Sequence, residues 1–271
     1  MGRELRRLLV DPLRLTEAGG LLPLERGELH YLRRVLRLRQ GDRFAVVDGL
    51  GRLWSANLQT DPARQEGAAL LEQPFERPLE QGPRPAPPLR LAIAPPRRDG
   101  EVLLRMACEL GIDQIQWLSA ERSVVDAPPR EERQRSVLRE ALEQCERLWL
   151  PRSSGPEPAA AWFARQPEDQ LLLLATTRCS DAAPLLEVLE REGSKVASPD
   201  SSTVTLAVGP EGGWSPLEQE QALERGWLAV SLGDGILRTS TAAVAGVTLL
   251  SAWRQGRQRP LSSGTSGRPS P

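Results

Sequence analysis

The chain contains Ala207-Val-Gly-Pro-Glu-Gly-Gly-Trp-Ser215 and, a little further on, Leu232-Gly-Asp-Gly-Ile-Leu-Arg-Thr-Ser-Thr-Ala242. Each stretch follows a short apolar run, Val204 to Val208 and Leu228 to Leu232, and each leads into a segment with helical spacing. Loops at the carboxyl ends of buried strands are where open α/β sheets bind ligands. Gly209, Gly212 and Gly213 let the backbone approach a ligand with its N–H and C=O groups exposed, while Pro210 stiffens the turn. In the second loop Gly233-Asp-Gly235 repeats the design. Ile236 and Leu237 add apolar surface, and Arg238-Thr-Ser-Thr opens a helix with good capping residues.

The same alternation extends outward from these loops. Leu89 to Ala94, Ile112 to Leu118, and Leu171 to Ala175 read as strands. Gly100 to Gly111, Arg130 to Trp149, Ala183 to Glu192, Pro216 to Gly226, and Ser240 to Trp253 read as helices. Strands alternating with helices imply an α/β domain with a largely parallel sheet. Ahead of it, the spacing from His30 to Arg37 predicts a short helix. Arg43 to Asp48, the Gly49-Leu-Gly51 hairpin signal and Arg52 to Leu58 predict a small β-rich module. Prolines 74, 78, 83, 85, 87 and 88 mark a linker between the two. The expected division is 1–80, 81–255, and a disordered tail over 256–271, which is rich in Ser, Gly, Arg and Pro.

Composition narrows the chemistry. With 271 residues, 39% hydrophobic and 26% charged, the chain has material for a buried core and no need of staples. Cys108, Cys145 and Cys179 are widely spaced and fit reduced thiols, and His30 is the only histidine. A structural zinc site is therefore not expected, and His30 reads as a structural or RNA-packing residue of the small module. No apolar run is long enough to span a membrane, and Leu8-Leu-Val-Asp-Pro is too short for a secretory signal, so the expected location is cytoplasmic. The net charge of -1 argues against indiscriminate nucleic-acid binding. Residues 1–40 nevertheless carry nine arginines against five acids, a locally basic end. It is either a phosphate-contacting face or an ordinary solvated one.

The two loops lack the GK[ST] ending of a phosphate-cradling loop and the GxGxxG spacing of a dinucleotide site, which points away from nucleoside triphosphate hydrolysis. Backbone-lined, partly apolar loops suit an adenine ring and a sulfonium-bearing chain. Taken singly, either loop is as well read as a glycine-rich turn before a capped helix. Paired in matching strand–loop–helix settings, they point to one shared pocket.

Gly209-Pro-Glu-Gly-Gly213, the run from Leu232-Gly to Leu237-Arg-Thr-x-Thr-Ala, Glu109-Leu-Gly111, Glu121-Arg-Ser123, Glu143-Gln144 with Arg147 and Pro151, and His30 with Val35-Leu-Arg37 together resemble the RsmE family. Its members are bacterial 16S ribosomal RNA uridine-N3 methyltransferases of the SPOUT superfamily. The resemblance spans residues 1 to about 255 in the right order. It implies a PUA-like RNA-binding β-barrel, then an α/β domain with a trefoil knot that holds S-adenosylmethionine, and a homodimer acting on 16S ribosomal RNA or the small ribosomal subunit without a metal. It implies cofactor contacts from Leu174, Ala175, Val208, Gly209, Pro210, Glu211, Gly212, Gly213, Leu232, Gly233, Ile236, Leu237, Arg238 and Thr239. Arg238 is the expected holder of an RNA phosphate or stabiliser of the uracil anion. Glu211 is expected to orient the cofactor or assist proton removal. Arg33, Arg34, Arg37, Arg122 and Arg147 are the candidates for RNA contact. Trp149 and Trp214 are candidates for stacking on a base, with packing the stronger reading for Trp149.

The match has departures. Ser240 stands where the family usually has a glutamate, Asp234-Gly235 where it has Pro-Arg, and Glu146 where it has a glycine. The missing glutamate and the missing arginine leave a second reading open, a noncatalytic RNA-binding or ribosome-assembly protein that keeps the knotted dimer.

Overall fold

The computed structural model describes residues 5–61, 66–125, 127–167, 169–177, 179, 181–193, 196 and 202–258. The first part of the chain runs β1 (Arg7–Leu9), α1 (Pro12–Glu17), β2 (Leu21–Pro23) and α2 (Arg26–His30), which continues as a π-helical turn (Tyr31–Val35). Then come β3 (Arg43–Val47), β4 (Arg52–Asp61), β5 (Glu66–Leu71) and β6 (Glu80–Gln81). They form a mixed sheet in the order β1-β3-β4-β5-β2, with β6 on β4; only β1 and β3 are parallel. The expected hairpin forms, with Arg43 opposite Asn57 and Val47 opposite Leu53. Phe44, Val46, Trp54, Ala56 and Leu58 pack with Leu22, Leu29 and Leu32 from the other elements.

The proline-rich stretch is not a free linker. Phe75 stacks on Trp54 at 5.5 Å, and Glu80–Gln81 pairs with Arg52 and Leu53, so this segment lies along the small sheet.

The second part runs β7 (Leu89–Ile93), α3 (Gly100–Glu109), β8 (Gln114–Ser119), α4 (Glu131–Cys145), β9 (Arg152–Pro158), α5 (Ala159–Ala164) and β10 (Leu171–Ala175). It ends with β11 (Ala183–Pro184), α6 (Leu185–Glu192), β12 (Val204–Val208), α7 (Pro216–Glu224), β13 (Leu228–Ser231) and α8 (Thr239–Gln258). All seven strands are parallel, in the order β11-β13-β10-β12-β7-β8-β9, which is the α/β architecture the alternation implies. Successive residues of a strand face opposite sides of a sheet. Leu91, Ile93, Leu171, Leu173, Leu206 and Val208 accordingly join α3, α4, α6 and α8 in one core. Ala92, Leu172, Leu174 and Ala207 join Trp162 and Phe163 of α5 and Ala222 of α7 in the other. Burial on both faces is why these strands read as continuous apolar runs. The last helix continues three residues beyond the expected start of the tail: Arg257 donates to Gly193 O at 3.0 Å, and Gln258 to Ala86 O at 2.9 Å. The rest of the expected tail, 259–271, lies outside the described residues.

A half-buried carboxylate pins the sheet together. Asp113 accepts from Leu89 N at 2.9 Å, Arg254 Nη1 at 2.5 Å and Arg147 Nη2 at 3.1 Å, joining the starts of β7 and β8 to α8. Arg147 also donates to Cys108 O at 2.8 Å and Ile112 O at 2.7 Å, and its side chain is only 14% exposed. This corrects the expectation of an RNA contact there, because a guanidinium spent on three acceptors of its own domain has little left to offer a phosphate.

The two sheets are joined through the end of α4 and the residues after it. Leu50 and Trp149 form an antiparallel bridge, Gly51 N donates to Leu148 O at 3.0 Å, and Trp149 Nε1 donates to Gly82 O at 3.2 Å. Trp149 is thus a packing residue between the sheets. Glu143 accepts from Leu9 N at 2.8 Å, and Arg7 donates to Glu146 O. Burial lifts the Glu143 carboxyl to about 7, against the pull of the Leu9 N–H. No described helix is long and apolar enough to cross a membrane.

Candidate active site

β12 and β13 flank β10 in the sheet, so the loops that follow them leave the same edge side by side. Gly213 at φ +70° and Gly233 at φ +133° take backbone conformations that side chains resist, which is how both loops turn so tightly. The loop after β12 passes into α7 through a capping box: Ser215 Oγ accepts from Glu218 N at 3.2 Å, and Glu218 accepts from Ser215 N at 2.9 Å. Glu218, itself buried, also accepts from Glu121 N at 2.8 Å, so the β8 loop is held against the start of α7. Thr239, the first residue of α8, donates to Gly209 O at 3.1 Å and ties the second loop to the first.

Between the loops and the end of β10 lies a cleft of about 770 Å³, its open mouth included. Of the residues expected at a cofactor site, Ala175, Val208, Gly209, Pro210, Glu211 and Gly213 line it from one side. Leu232, Gly233, Ile236, Leu237 and Thr239 line it from the other. Three expected residues do not. Leu174 is fully buried in the core on the α5 and α7 face, the opposite side of the strand from Leu173. Gly212 packs against Arg122, whose Cβ would stand 2.9 Å from any Cβ placed there. Arg238 is exposed beside the cleft and has no side-chain partner among the described residues.

Glu211 has a defined task in the structure. Its Oε1 accepts from the backbone N–H of Arg97 at 2.9 Å, stapling this loop to the one after β7. Arg122 donates to Gly212 O at 3.4 Å and Trp214 O at 3.3 Å, so it braces the same loop from beneath. Trp214 is buried against Phe163 and donates to Ala175 O at 3.2 Å; it walls the cleft and is not free to stack on a base by itself. Arg33, Arg34 and Arg37 are exposed on the small domain, at and just past the π-helical turn, with no partners among the described residues. His30 is exposed as well.

Thr176, Thr177, Gln219 and Ala242 also line the cleft, and none of them was among the residues expected to meet the cofactor. Thr176 and Thr177 directly follow the expected Leu174-Ala175 strand end, which is the one signal that pointed there. Gln219 arrives from α7 and needed the packing of that helix to be known.

The lining holds threonines, a glutamine, one carboxylate and apolar side chains, and no lysine or arginine among the described residues. Such a wall does not suit a polyphosphate, which calls for cations or a ring of backbone amides. It suits a neutral heterocycle carrying a cationic tail. Sequence and structural relatives give the class: an RNA methyltransferase. A family model described as an RNA methyltransferase domain matches residues 83–251, and one described as an RNA methyltransferase PUA domain matches residues 24–62. The chain is 37% identical to a ribosomal RNA small subunit methyltransferase E of Synechocystis sp. over 249 residues, 91% of this chain and 77% of the relative. A crystal structure of that enzyme from Neisseria gonorrhoeae, bound to S-adenosyl methionine, aligns with a TM-score of 0.73 at 25% identity. It covers 92% of this chain and 98% of its own. A structure from Porphyromonas gingivalis described as a probable rRNA-methyltransferase shares the fold, with a TM-score of 0.74 at 24% identity over 90% and 97% of the two chains. The chain belongs to the family of ribosomal RNA small subunit methyltransferase E.

Proposed function

We propose that the protein methylates N3 of a uridine in the 16S RNA of the small ribosomal subunit, using S-adenosylmethionine held in the cleft between the two loops. The observation that carries this reading is the cleft's lining: uncharged polar groups and apolar walls, one carboxylate, and, among the described residues, no cation to repel a sulfonium. Family membership favours this catalytic reading over a noncatalytic assembly protein.

Bound there, the cofactor would supply a methyl group on a sulfonium, already activated for transfer. The chain's own contribution is position and charge. Leu232, Ile236 and Leu237 would cover the apolar part of the cofactor, while backbone groups of the two loops that line the cleft would meet the polar edges of its base. Glu211, with one oxygen committed to Arg97 N, serves as a loop staple that orients the site. Arg238, unpaired at the rim, would stabilise the negative charge that develops on uracil when N3 loses its proton. Ser240, where the family usually has a glutamate, carries no charge with which to take up that proton.

The division at residue 80 belongs to the same proposal. The small domain, with Arg33, Arg34 and Arg37 exposed, contributes RNA binding, and residues 81–255 contribute the cofactor and the chemistry. The trefoil knot and the homodimer that the resemblance implies are part of it too. Ile236, 86% exposed beside the cleft, is a surface that a second protomer would cover.

Calorimetric titration of S-adenosylmethionine, followed by methyl incorporation into small-subunit RNA, tests the reading. An Arg238→Ala protein is expected to bind the cofactor normally and to lose about 10²- to 10³-fold in turnover. Unimpaired turnover would remove Arg238 from the chemistry, and cofactor binding without transfer to any RNA would remove the enzyme.

A further inference from the structure

Two arginines outside the expected site residues stand beside the cleft. β7 and β12 are paired neighbours with Ile93 opposite Val208, and Ala94 N donates to Val208 O at 3.2 Å. Their outgoing loops, Pro95-Pro-Arg-Arg-Asp99 and Gly209 to Gly213, therefore leave the sheet together. The bond from Arg97 N to Glu211 joins them, and Glu211 lines the cleft. Pro95 and Pro96 are buried and fix the backbone that leads to Arg97. Arg97 and Arg98 are both exposed, and neither side chain has a partner among the described residues.

Arg33, Arg34, Arg37 and Arg238 are unpaired as well among the described residues, so it is the place of Arg97 and Arg98 beside the cleft that is informative. Acids and bases are nearly balanced at 36 to 35. Many surface arginines are paired: Arg43 with Glu72, Arg133 with Glu101, Arg135 with Glu131, Arg165 with Glu157 and Arg191 with Glu187. Two adjacent unpaired guanidinium groups on a stiffened loop, stapled to the wall of a cleft whose described lining residues include no cation, place positive charge just outside the ligand space. A nucleotide whose base enters the cleft leaves its phosphates outside it. Guanidinium forks match phosphate oxygens in bidentate geometry, and a pre-ordered backbone lowers the cost of holding them there.

We propose that Arg97 and Arg98 form a clamp on the backbone phosphates next to the target nucleotide, fixing the RNA strand across the mouth of the cleft. They are positioning residues, because phosphate contacts set register and orientation without touching the reacting atoms. The proposal rests on the RNA methyltransferase reading above. Arg97 meets Glu211 through its backbone, so truncating its side chain leaves the staple between the loops intact.

The test is methyl-transfer kinetics on small-subunit RNA over a range of salt concentrations, with calorimetric cofactor binding in parallel. For the Arg97→Ala, Arg98→Ala double variant, KM for RNA should rise about tenfold or more, while kcat and cofactor affinity stay unchanged. The slope of log affinity against log salt should become shallower by about 0.7 for each single-strand phosphate that the variant no longer neutralises. The Arg97→Lys, Arg98→Lys variant should recover the slope and most of the KM. Unchanged KM and slope in the alanine variant would show the two arginines to be merely solvated, and weakened cofactor binding would assign them to the cofactor site; either overturns the clamp. If the wild-type protein methylates no RNA, the enzymatic reading fails separately. The clamp is then decided by the same slope comparison in filter binding of single-stranded small-subunit RNA fragments.

Discussion

Thr239 Oγ1 donates to the carbonyl oxygen of Gly209 at 3.1 Å, so the first turn of α8 is fastened to the loop that leaves β12. Thr239 is 3% exposed, and water cannot readily replace this bond. Valine keeps the shape of threonine but strands the carbonyl, at a cost of about 1–2 kcal/mol. Thr239→Val is therefore expected to weaken S-adenosylmethionine binding about 5- to 30-fold by calorimetry, and Thr239→Ser to restore it.

Glu211 is expected to behave as a hydrogen-bond acceptor more than as a charge. Glutamine can still accept from Arg97 N, whereas alanine cannot. Glu211→Gln should hold cofactor affinity within about threefold, and Glu211→Ala should lose about tenfold, in line with one hydrogen bond to a charged group. A Glu211→Gln protein that binds cofactor normally but has lost turnover would instead make the carboxylate part of the chemistry.

Glu143 gives the join between the two sheets a pH dependence. The groups around it are Leu9 N, Tyr31, Glu28, Arg139 and Glu140, and burial is the largest influence, raising its carboxyl from 4.5 to about 7. Between these values the folded chain holds a proton that the unfolded chain releases. The contribution of this group to stability therefore falls as pH rises through the window, by about 3 kcal/mol in all, and levels off above pH 7. Glu143→Gln keeps an acceptor for Leu9 N and removes the titration. Thermal unfolding should show the variant close to wild type near pH 5 and more stable near pH 8; parallel pH profiles would contradict this.

Gly246 in α8 lies where a Cβ would stand 2.2 Å from Leu206 Cδ2 on β12. Alanine improves helix propensity by about 1 kcal/mol, but overpacking a tight contact costs about 1–3 kcal/mol. Gly246→Ala is expected to be net destabilising by roughly 1 kcal/mol in urea unfolding. Cofactor binding should suffer as well, because Leu206 lies on β12 three residues before Gly209, where the loop begins.

What could be read from the sequence follows burial. β7, β10 and β12 are apolar runs because helices cover both faces of the sheet, and a run of that kind needs no partner to be recognised. β9 escaped because it is an edge strand: Arg152-Ser-Ser-Gly-Pro-Glu-Pro158 pairs only with β8 and is largely exposed, so it reads as loop. α5 and β11 are short, and β5, Glu66-Gly-Ala-Ala-Leu-Leu71, is made largely of glycine and alanine and carries few of the bulky residues that mark a strand. Strand order was hidden too, because it is set by pairings between residues far apart in sequence.

At the site, the two loops announced themselves through glycine and position, and most of their residues do meet in one cleft. Arginines were the weak point. Arg147 and the exposed Arg33 look alike in a sequence, since the spacing of guanidinium groups does not reveal that Asp113 sits under one of them. Glu146 shows the reverse. It holds φ +61° at the end of α4, a left-handed conformation that explains the glycine usual at that place in the family. The departure there is a local strain in the backbone and not a change to the cleft.

The most direct measurement is nucleoside mass spectrometry of small-subunit RNA after incubation with the purified protein and S-adenosylmethionine. The predicted result is 3-methyluridine appearing in the RNA with wild-type protein and falling at least about a hundredfold in rate with Arg238→Ala. No methylated nucleoside under conditions where the cofactor saturates the cleft would contradict the assignment.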